Sequence, residues 1–311
     1  MAEIVVSEFM DEAALDGLKQ RYSVLYDPGL VDASDRLHAE LAEAIALIVR
    51  NRTQVRADLL DRAPRLRCVG RLGVGLDNID LDECRRRGIA VHPATGANNL
   101  SVTEYVITAA LVLLRGAWFS SAAVAQGLWP RQALMGRELS GRTMGLIGFG
   151  AIAREVSTRA RALGMEIAAF DPHVAADDPA WQQARRMASL DELLGLADVI
   201  SLHVPLTPGT ARMIGAEQIT RMRPGAILIN AARGGIVDEQ AVAEALKAGR
   251  IGGAALDVFE TEPLTAEAGA KFAGIPNLVL TPHIAGVTEE SNVRVSQVVA
   301  EKVMAELEGT A

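Results

Sequence analysis

The chain has 311 residues, half of them hydrophobic, and a formal net charge of −8. That length suits one large α/β unit or two medium domains, with two favoured, and an acidic chain without a basic run is a poor nucleic-acid binder. No apolar stretch reaches the roughly 18–20 residues of a membrane span, Met1-Ala2-Glu3 leads into Ile4-Val5-Val6 without a leader pattern, and Cys68 and Cys84 form no metal or redox motif, so a cytoplasmic protein with two reduced thiols and no metal is expected.

Short β-branched runs over residues 4–6, 24–26, 45–49, 68–69 and 89–91 read as strands, with helical segments such as 11–19 and 37–44 between them. A long apolar helical stretch follows over 98–116. A second alternation then begins, with strands over 143–147, 166–170, 199–202, 226–229, 253–256 and 278–280. Ser189-Leu190-Asp191-Glu192 has the spacing of a helix capping box, Pro224-Gly225 breaks a helix, and a last helix covers 289–307. Alternating β and α elements argue for parallel sheets covered on both faces. The expected fold is α/β, with doubly wound parallel sheets in two domains.

Gly148-Phe149-Gly150-Ala151-Ile152-Ala153 is a G-x-G-x-x-A sequence between a strand and a helix. Gly148 would make the tight turn, Gly150 would let backbone approach a pyrophosphate, and Ala153 would let helix and strand pack closely. The phosphates would rest on the free N–H groups of the helix starting near Ala151 and Ile152. Asp171 ends the next strand, about 20 residues on, where a carboxylate binds a ribose 2′-hydroxyl and repels a 2′-phosphate. The cofactor is therefore expected to be NAD. His203, Val204 and Pro205, at another strand end, would line the adenine side. Ala231, Ala232, Asp257 and Gly286 complete the expected cofactor contacts, together with Arg233 and His283, Asp257 accepting from the nicotinamide carboxamide. His38, His92 and His173 are read as structural or exposed.

Arg233, Glu262 and His283 follow three different predicted strands. In a doubly wound sheet, ligands bind beyond the strands' carboxyl ends, so all three would face one crevice. Oxidising a secondary alcohol requires removing its proton as hydride departs, and a histidine does this near neutral pH. A carboxylate on its other nitrogen fixes the tautomer, and an arginine grips a substrate carboxylate at two points. Singly, each has a duller explanation: a helix cap, a surface charge, a turn histidine. Their joint placement after a nucleotide fingerprint favours catalysis.

These residues carry a likeness. The chain resembles the D-isomer-specific 2-hydroxyacid dehydrogenase family over essentially its whole length. The resemblance lies in Gly73-Val74-Gly75-Leu76-Asp77-Asn78-Ile79-Asp80, the glycine fingerprint, Asn230-Ala231-Ala232-Arg233-Gly234, Leu256-Asp257-Val258-Phe259-Glu260 and Thr281-Pro282-His283-Ile284-Ala285-Gly286. It implies two doubly wound parallel-sheet domains with a cleft between them, residues 1–97 with 287–311 as a flavodoxin-like substrate domain and 98–286 as a Rossmann NAD domain. It implies Arg233 as carboxylate anchor, His283 as acid/base and Glu262 as its partner, with Val74 and Gly75 offering backbone N–H groups to the substrate. Arg233 and His283 would thus touch substrate as well as cofactor. It also implies a homodimer or dimer-based oligomer, with 98–116 and the Trp129 region in the contacts. Ala153 departs from the family's commoner glycine, and Glu262 argues against formate dehydrogenases, which have Gln there. Relatives that act as NAD-sensing binding proteins are the rival class, and no peptide-docking extension supports it.

For the substrate, Arg50 and Arg52 in Arg50-Asn51-Arg52-Thr53, with Arg71, suit a small 2-hydroxy or 2-oxo acid carrying a distal anion. A solvated charged turn explains Arg50 and Arg52 equally well. This turn and Gly70-Arg71-Leu72-Gly73-Val74-Gly75 are similar to phosphoglycerate dehydrogenases, here of the short kind without a regulatory domain. Residues 5–12, 26–32 and 93–98 look closer to (S)-sulfolactate dehydrogenases, so (S)-3-sulfolactate is the leading expectation and D-3-phosphoglycerate the alternative.

Overall fold

The structure, a computed structural model, describes residues 2–309. It separates into two compact units, one running to Asn98 and resuming at Val287, the other spanning Asn99–Gly286. Residues 1, 310 and 311 of the expected substrate domain lie outside the described residues.

The first unit is built on five parallel strands: β1 (Ile4–Val6), β2 (Val24–Tyr26), β3 (Ala46–Val49), β4 (Cys68–Arg71) and β5 (Ala90–Pro93), in the order β2-β1-β3-β4-β5. β1 and β3 are buried at every residue, as a sheet covered on both faces requires. One face packs Ile4, Val6 and Ile48 against Leu15 and Leu18, and the other packs Val5, Leu47 and Val69 against Leu37, Leu41 and Leu59. The helix Glu289–Glu308 returns the chain to this unit, burying Val295, Val299, Val303 and Leu307 on the first face. Each such side chain contributes about 1.5–3 kcal/mol. Thr288 and Ser291 cap that helix reciprocally, and it ends at Gly309 in the left-handed region. Gly70 is what lets it lie so close: a Cβ there would stand 2.6 Å from Val299 Cγ1.

The second unit holds seven parallel strands: β6 (Thr143–Ile147), β7 (Glu166–Phe170), β8 (Arg185–Arg186), β9 (Val199–Leu202), β10 (Ile227–Asn230), β11 (Gly253–Leu256) and β12 (Leu278–Leu280), in the order β12-β11-β10-β9-β6-β7-β8. The helix Asn99–Arg115 buries Val106, Ala110 and Leu113 against one face of this sheet. Among the described residues no single helix is long and apolar enough to cross a membrane.

Parallel strands bring all their carboxyl ends to one edge of each sheet. The order reverses between β1 and β3 in the first unit and between β6 and β9 in the second, and such switch points open crevices for ligands. The loops at these edges carry nearly every residue singled out above.

Candidate active site

At the second unit's switch point, the chain leaves β6 through Gly148, whose φ is +86°. Its amide donates to the Phe170 carbonyl at 2.9 Å, and the His203 amide donates to the Ile147 carbonyl at 2.7 Å. A Cβ at Gly148 would lie 2.5 Å from the His203 carbonyl oxygen, so space and backbone conformation both demand glycine. Gly150 is different. Its φ is −77°, and an added Cβ would meet nothing within 4 Å. The room beside it is open to a ligand.

Gly150 begins the helix Ala151–Ala162, which has neither a side-chain cap nor an acidic residue in its first turn. Its amide groups and dipole are thus left for an anion. Ala153 is fully buried against the sheet, Ile152 is half-buried and Ala151 is exposed at the end that would meet phosphate. Asp171 accepts from the amides of Phe149 and His173, both at 2.8 Å, which fixes its carboxylate at the end of β7. These features fit a dinucleotide.

His203 pairs its Nε2 with Ser201 Oγ at 3.0 Å. Burial pushes its imidazole down to about 4, so it is neutral near pH 7. Val204 is half-buried behind Gly148, and Pro205 is exposed.

After β10, buried Asn230 closes the turn that presents Arg233. Its Nδ2 donates to the Arg233 carbonyl at 2.9 Å, and its Oδ1 accepts from the Ala232 amide at 3.1 Å. Ala231 and Ala232 line this half-buried turn. Gly234 is pressed against β11's exit, where a Cβ would overlap the Phe259 carbonyl oxygen at 1.7 Å. Arg233 Nη1 donates to the Ala232 carbonyl at 2.6 Å.

His283 Nδ1 meets Glu262 Oε2 at 2.7 Å, and the other Glu262 oxygen accepts from the Phe259 amide at 2.9 Å. Burial raises the Glu262 pKa, but these hydrogen bonds and the charges of His283 and Arg233 outweigh it and hold the carboxyl below its usual range. With Nδ1 engaged, Nε2 is the nitrogen left for a substrate proton.

The backbone of His283 is left-handed, with φ +58°. Such a conformation is uncommon away from glycine and persists when its surroundings enforce it. Asp257 enforces it here. Its carbonyl accepts from the His283 amide at 2.8 Å, Oδ1 accepts from the Thr281 hydroxyl at 2.6 Å and the Ile284 amide at 2.8 Å, and Oδ2 accepts from the Ala285 amide at 2.8 Å. Asp257 is 1% exposed, so this carboxylate holds the histidine loop from beneath. The Tyr105 hydroxyl extends the chain to Thr281 Oγ1 at 2.6 Å. Sequence reasoning assigned no role to Tyr105, Thr281 or Asn230. Only their motif neighbours signalled Thr281 and Asn230, and nothing in the pattern signalled Tyr105. Gly286 closes the loop where the unit ends.

The first unit brings a separate group together at its own switch point. Glu8, after β1 and 5% exposed, accepts from four successive amides: Arg50 at 2.8 Å, Asn51 at 3.3 Å, Arg52 at 3.1 Å and Thr53 at 3.0 Å. Arg50 is half-buried, donates to Asn292 Oδ1 at 2.7 Å and lies 6.0 Å from the Phe9 ring. Arg52 turns outward, where both its Nη atoms bond Asp32. Arg71 folds over Gly73 and donates to the Leu72 carbonyl at 3.0 Å. Val74 and Gly75 are half-buried in the loop beyond. His92 pairs with Glu306 at 3.2 Å, a structural contact.

Comparison with known proteins agrees with this geometry. The family described as D-isomer specific 2-hydroxyacid dehydrogenase, NAD binding domain, matches residues 107–285. The (S)-sulfolactate dehydrogenase of Chromohalobacter salexigens is 55% identical over 303 residues, 97% of each chain. The D-3-phosphoglycerate dehydrogenase of Archaeoglobus fulgidus is 39% identical over 97% of this chain, which spans only 56% of that longer relative. Among solved structures, the D-lactate dehydrogenase of Aquifex aeolicus, in complex with NAD and lactic acid, is 30% identical with a TM-score of 0.85, covering 99% of this chain and 96% of its own.

Proposed function

Since the chain belongs to the D-isomer specific 2-hydroxyacid dehydrogenase family, using NAD to act on a CH–OH group, we propose that its substrate is (S)-3-sulfolactate, oxidised reversibly to 3-sulfopyruvate. The carrying observation is the 55% identity to an (S)-sulfolactate dehydrogenase along nearly all of both chains. Stereochemistry agrees with a D-specific family. In sulfolactate the sulfonate-bearing carbon outranks the carboxylate, so the D-like arrangement is named S.

Bound at the Gly148–Ala153 turn, NAD+ supplies the hydride acceptor. Asp171 would hold the ribose hydroxyls, His203, Val204 and Pro205 would line the adenine side, and Ala231, Ala232 and Gly286 would flank the nicotinamide half. Arg233 offers its guanidinium to the substrate carboxylate. His283 Nε2 takes the hydroxyl proton, and Glu262 at Nδ1 keeps the tautomer and stabilises the imidazolium. Asp257 acts by holding the histidine loop. In the first unit, Val74 and Gly75 contribute backbone N–H groups to the substrate, and Arg50, Arg71 and Arg52 supply positive charge for its distal anion.

A kinetic panel of sulfolactate, D-3-phosphoglycerate, D-glycerate, D-lactate and D-malate with NAD+ tests the assignment. Sulfolactate is expected to give the highest kcat/KM, and by at least about tenfold, or about 1.4 kcal/mol, over D-glycerate and D-lactate, which carry no distal anion. Faster turnover of D-3-phosphoglycerate would replace the assignment with that activity.

We further propose a cytoplasmic homodimer. Trp118, Phe119, Leu128, Trp129 and Met135 are each more than half exposed within one stretch of chain, the kind of apolar segment a partner subunit covers. Light scattering is expected to give twice the 33.0 kDa chain mass. A single-chain mass at micromolar concentration would refute the dimer.

A further inference from the structure

We propose that Glu8 and Asp32 make the turn 50–53 selective for a 2-hydroxy acid whose distal group is a monoanion, and against one carrying a phosphate dianion. The inference rests on the reading above that this turn meets the distal anion.

The turn offers two cations, Arg50 and Arg52, and the fold sets a carboxylate against each. Glu8 lies beneath the turn, where the four amides of Arg50, Asn51, Arg52 and Thr53 converge on its two oxygens. A ring of amides around an anion is the arrangement that binds phosphates in other proteins, and here the protein's own carboxylate occupies it. Glu8 is 5% exposed, so solvent screens its charge little. Its negative charge acts directly on Arg50, opposing the loss of that guanidinium's proton that burial favours. The hydrogen-bond partner of Arg50, Asn292 Oδ1, is a neutral amide. At the rim, Asp32 takes both Nη atoms of Arg52. Two cations and two carboxylates cancel at this turn. A sulfonate or carboxylate still gains the hydrogen bonds of Arg50. A phosphate at pH 8 brings a second negative charge toward Glu8, and the turn itself carries no third cation to meet it.

The readout is the ratio of kcat/KM for D-3-phosphoglycerate to that for (S)-sulfolactate, since damage to the turn itself lowers both values and leaves the ratio. Glu8→Gln is expected to raise the ratio about three- to tenfold, the effect of removing one poorly screened charge near the anion. Asp32→Asn, an exposed change that leaves the fold intact, is expected to raise it about twofold at low salt and not at high salt. The wild-type enzyme gives a third arm. Phosphate's second ionisation lies near 6, so the ratio is expected to rise as pH falls from about 8 to about 5.5. Titrations of the free enzyme cancel in the ratio. If Glu8→Gln does not fold, the other two arms decide. A ratio unmoved by either variant and flat with pH overturns the proposal while sparing the sulfolactate assignment. A wild-type enzyme that handles D-lactate as efficiently as sulfolactate reads no distal anion, and both readings then fall.

Discussion

Replacing His283 by asparagine is expected to lower kcat about 10²–10⁴-fold, the usual contribution of a general acid–base, while the NAD dissociation constant stays within about threefold. Asparagine is the informative choice because of the backbone. His283 sits at φ +58°, which asparagine tolerates better than alanine does, so the Thr281–Ala285 loop should keep its hydrogen bonds to Asp257. What is lost is the imidazole nitrogen that takes the substrate proton. The Glu262 carboxylate, held ionised by its bonds to the Phe259 amide and to the imidazole, then has no group to orient. NADH formation and quenching of tryptophan fluorescence by NAD separate chemistry from binding. Turnover within about tenfold of wild type would remove His283 from proton transfer.

Gly150→Val is expected to leave the apo protein's Tm within about 2 °C and to weaken NAD binding at least about 10²-fold, or about 3 kcal/mol. The two glycines of the fingerprint do different work. Gly148 is required by the protein itself, because a Cβ there strikes the His203 carbonyl and its φ is positive. Gly150 is not. Its backbone is extended, at φ −77° and ψ −166°, and its Cβ would point into empty space at the start of an uncapped helix. Valine fits the fold and fills the place a pyrophosphate needs. Calorimetry of apo and NAD-saturated protein gives both quantities. A variant that binds NAD normally would move the pyrophosphate away from this helix, and one that fails to fold would show that Gly150 serves the protein instead.

Local chemistry made much of this legible. Parallel strands covered by helices are short apolar runs, often β-branched, so β1, β2, β6, β7, β9, β11 and β12 were found at their observed limits. The fingerprint was legible because turn, backbone approach and helix packing each demand a residue type at fixed spacing. Other limits shifted where pairing overrode propensity. Gly70 and Arg71 are poor strand formers, yet β4 continues through them because they pair with His92 and Pro93. β8 is two exposed arginines at a sheet edge and carries no apolar signal. The helix expected over 37–44 is Ser34–Leu41, and short helices at Ala57–Leu60 and Leu81–Arg86 are too brief for a period to show.

The candidate site divides in the same way. Arg233, Glu262 and His283 were readable as types at strand ends, and the last two do meet. The groups that set their geometry were not readable. Tyr105 reaches Thr281 across 176 residues, Glu8 reaches the Arg50–Thr53 amides across 42 to 45, and the left-handed turn at His283 follows from Asp257, 26 positions earlier. No periodicity encodes a contact of that separation. Arg50 and Arg52 looked alike in sequence, but one is half-buried beside Asn292 and the other is turned outward by Asp32.

Oxidation of (S)-3-sulfolactate by NAD+ is decided by offering the two sulfolactate enantiomers separately to the purified protein. NADH absorbance is expected to rise with the S enantiomer, with stoichiometric sulfopyruvate, and no rate above background is expected with R. NADH formed from R, or from D-3-phosphoglycerate but not from either sulfolactate, would contradict it.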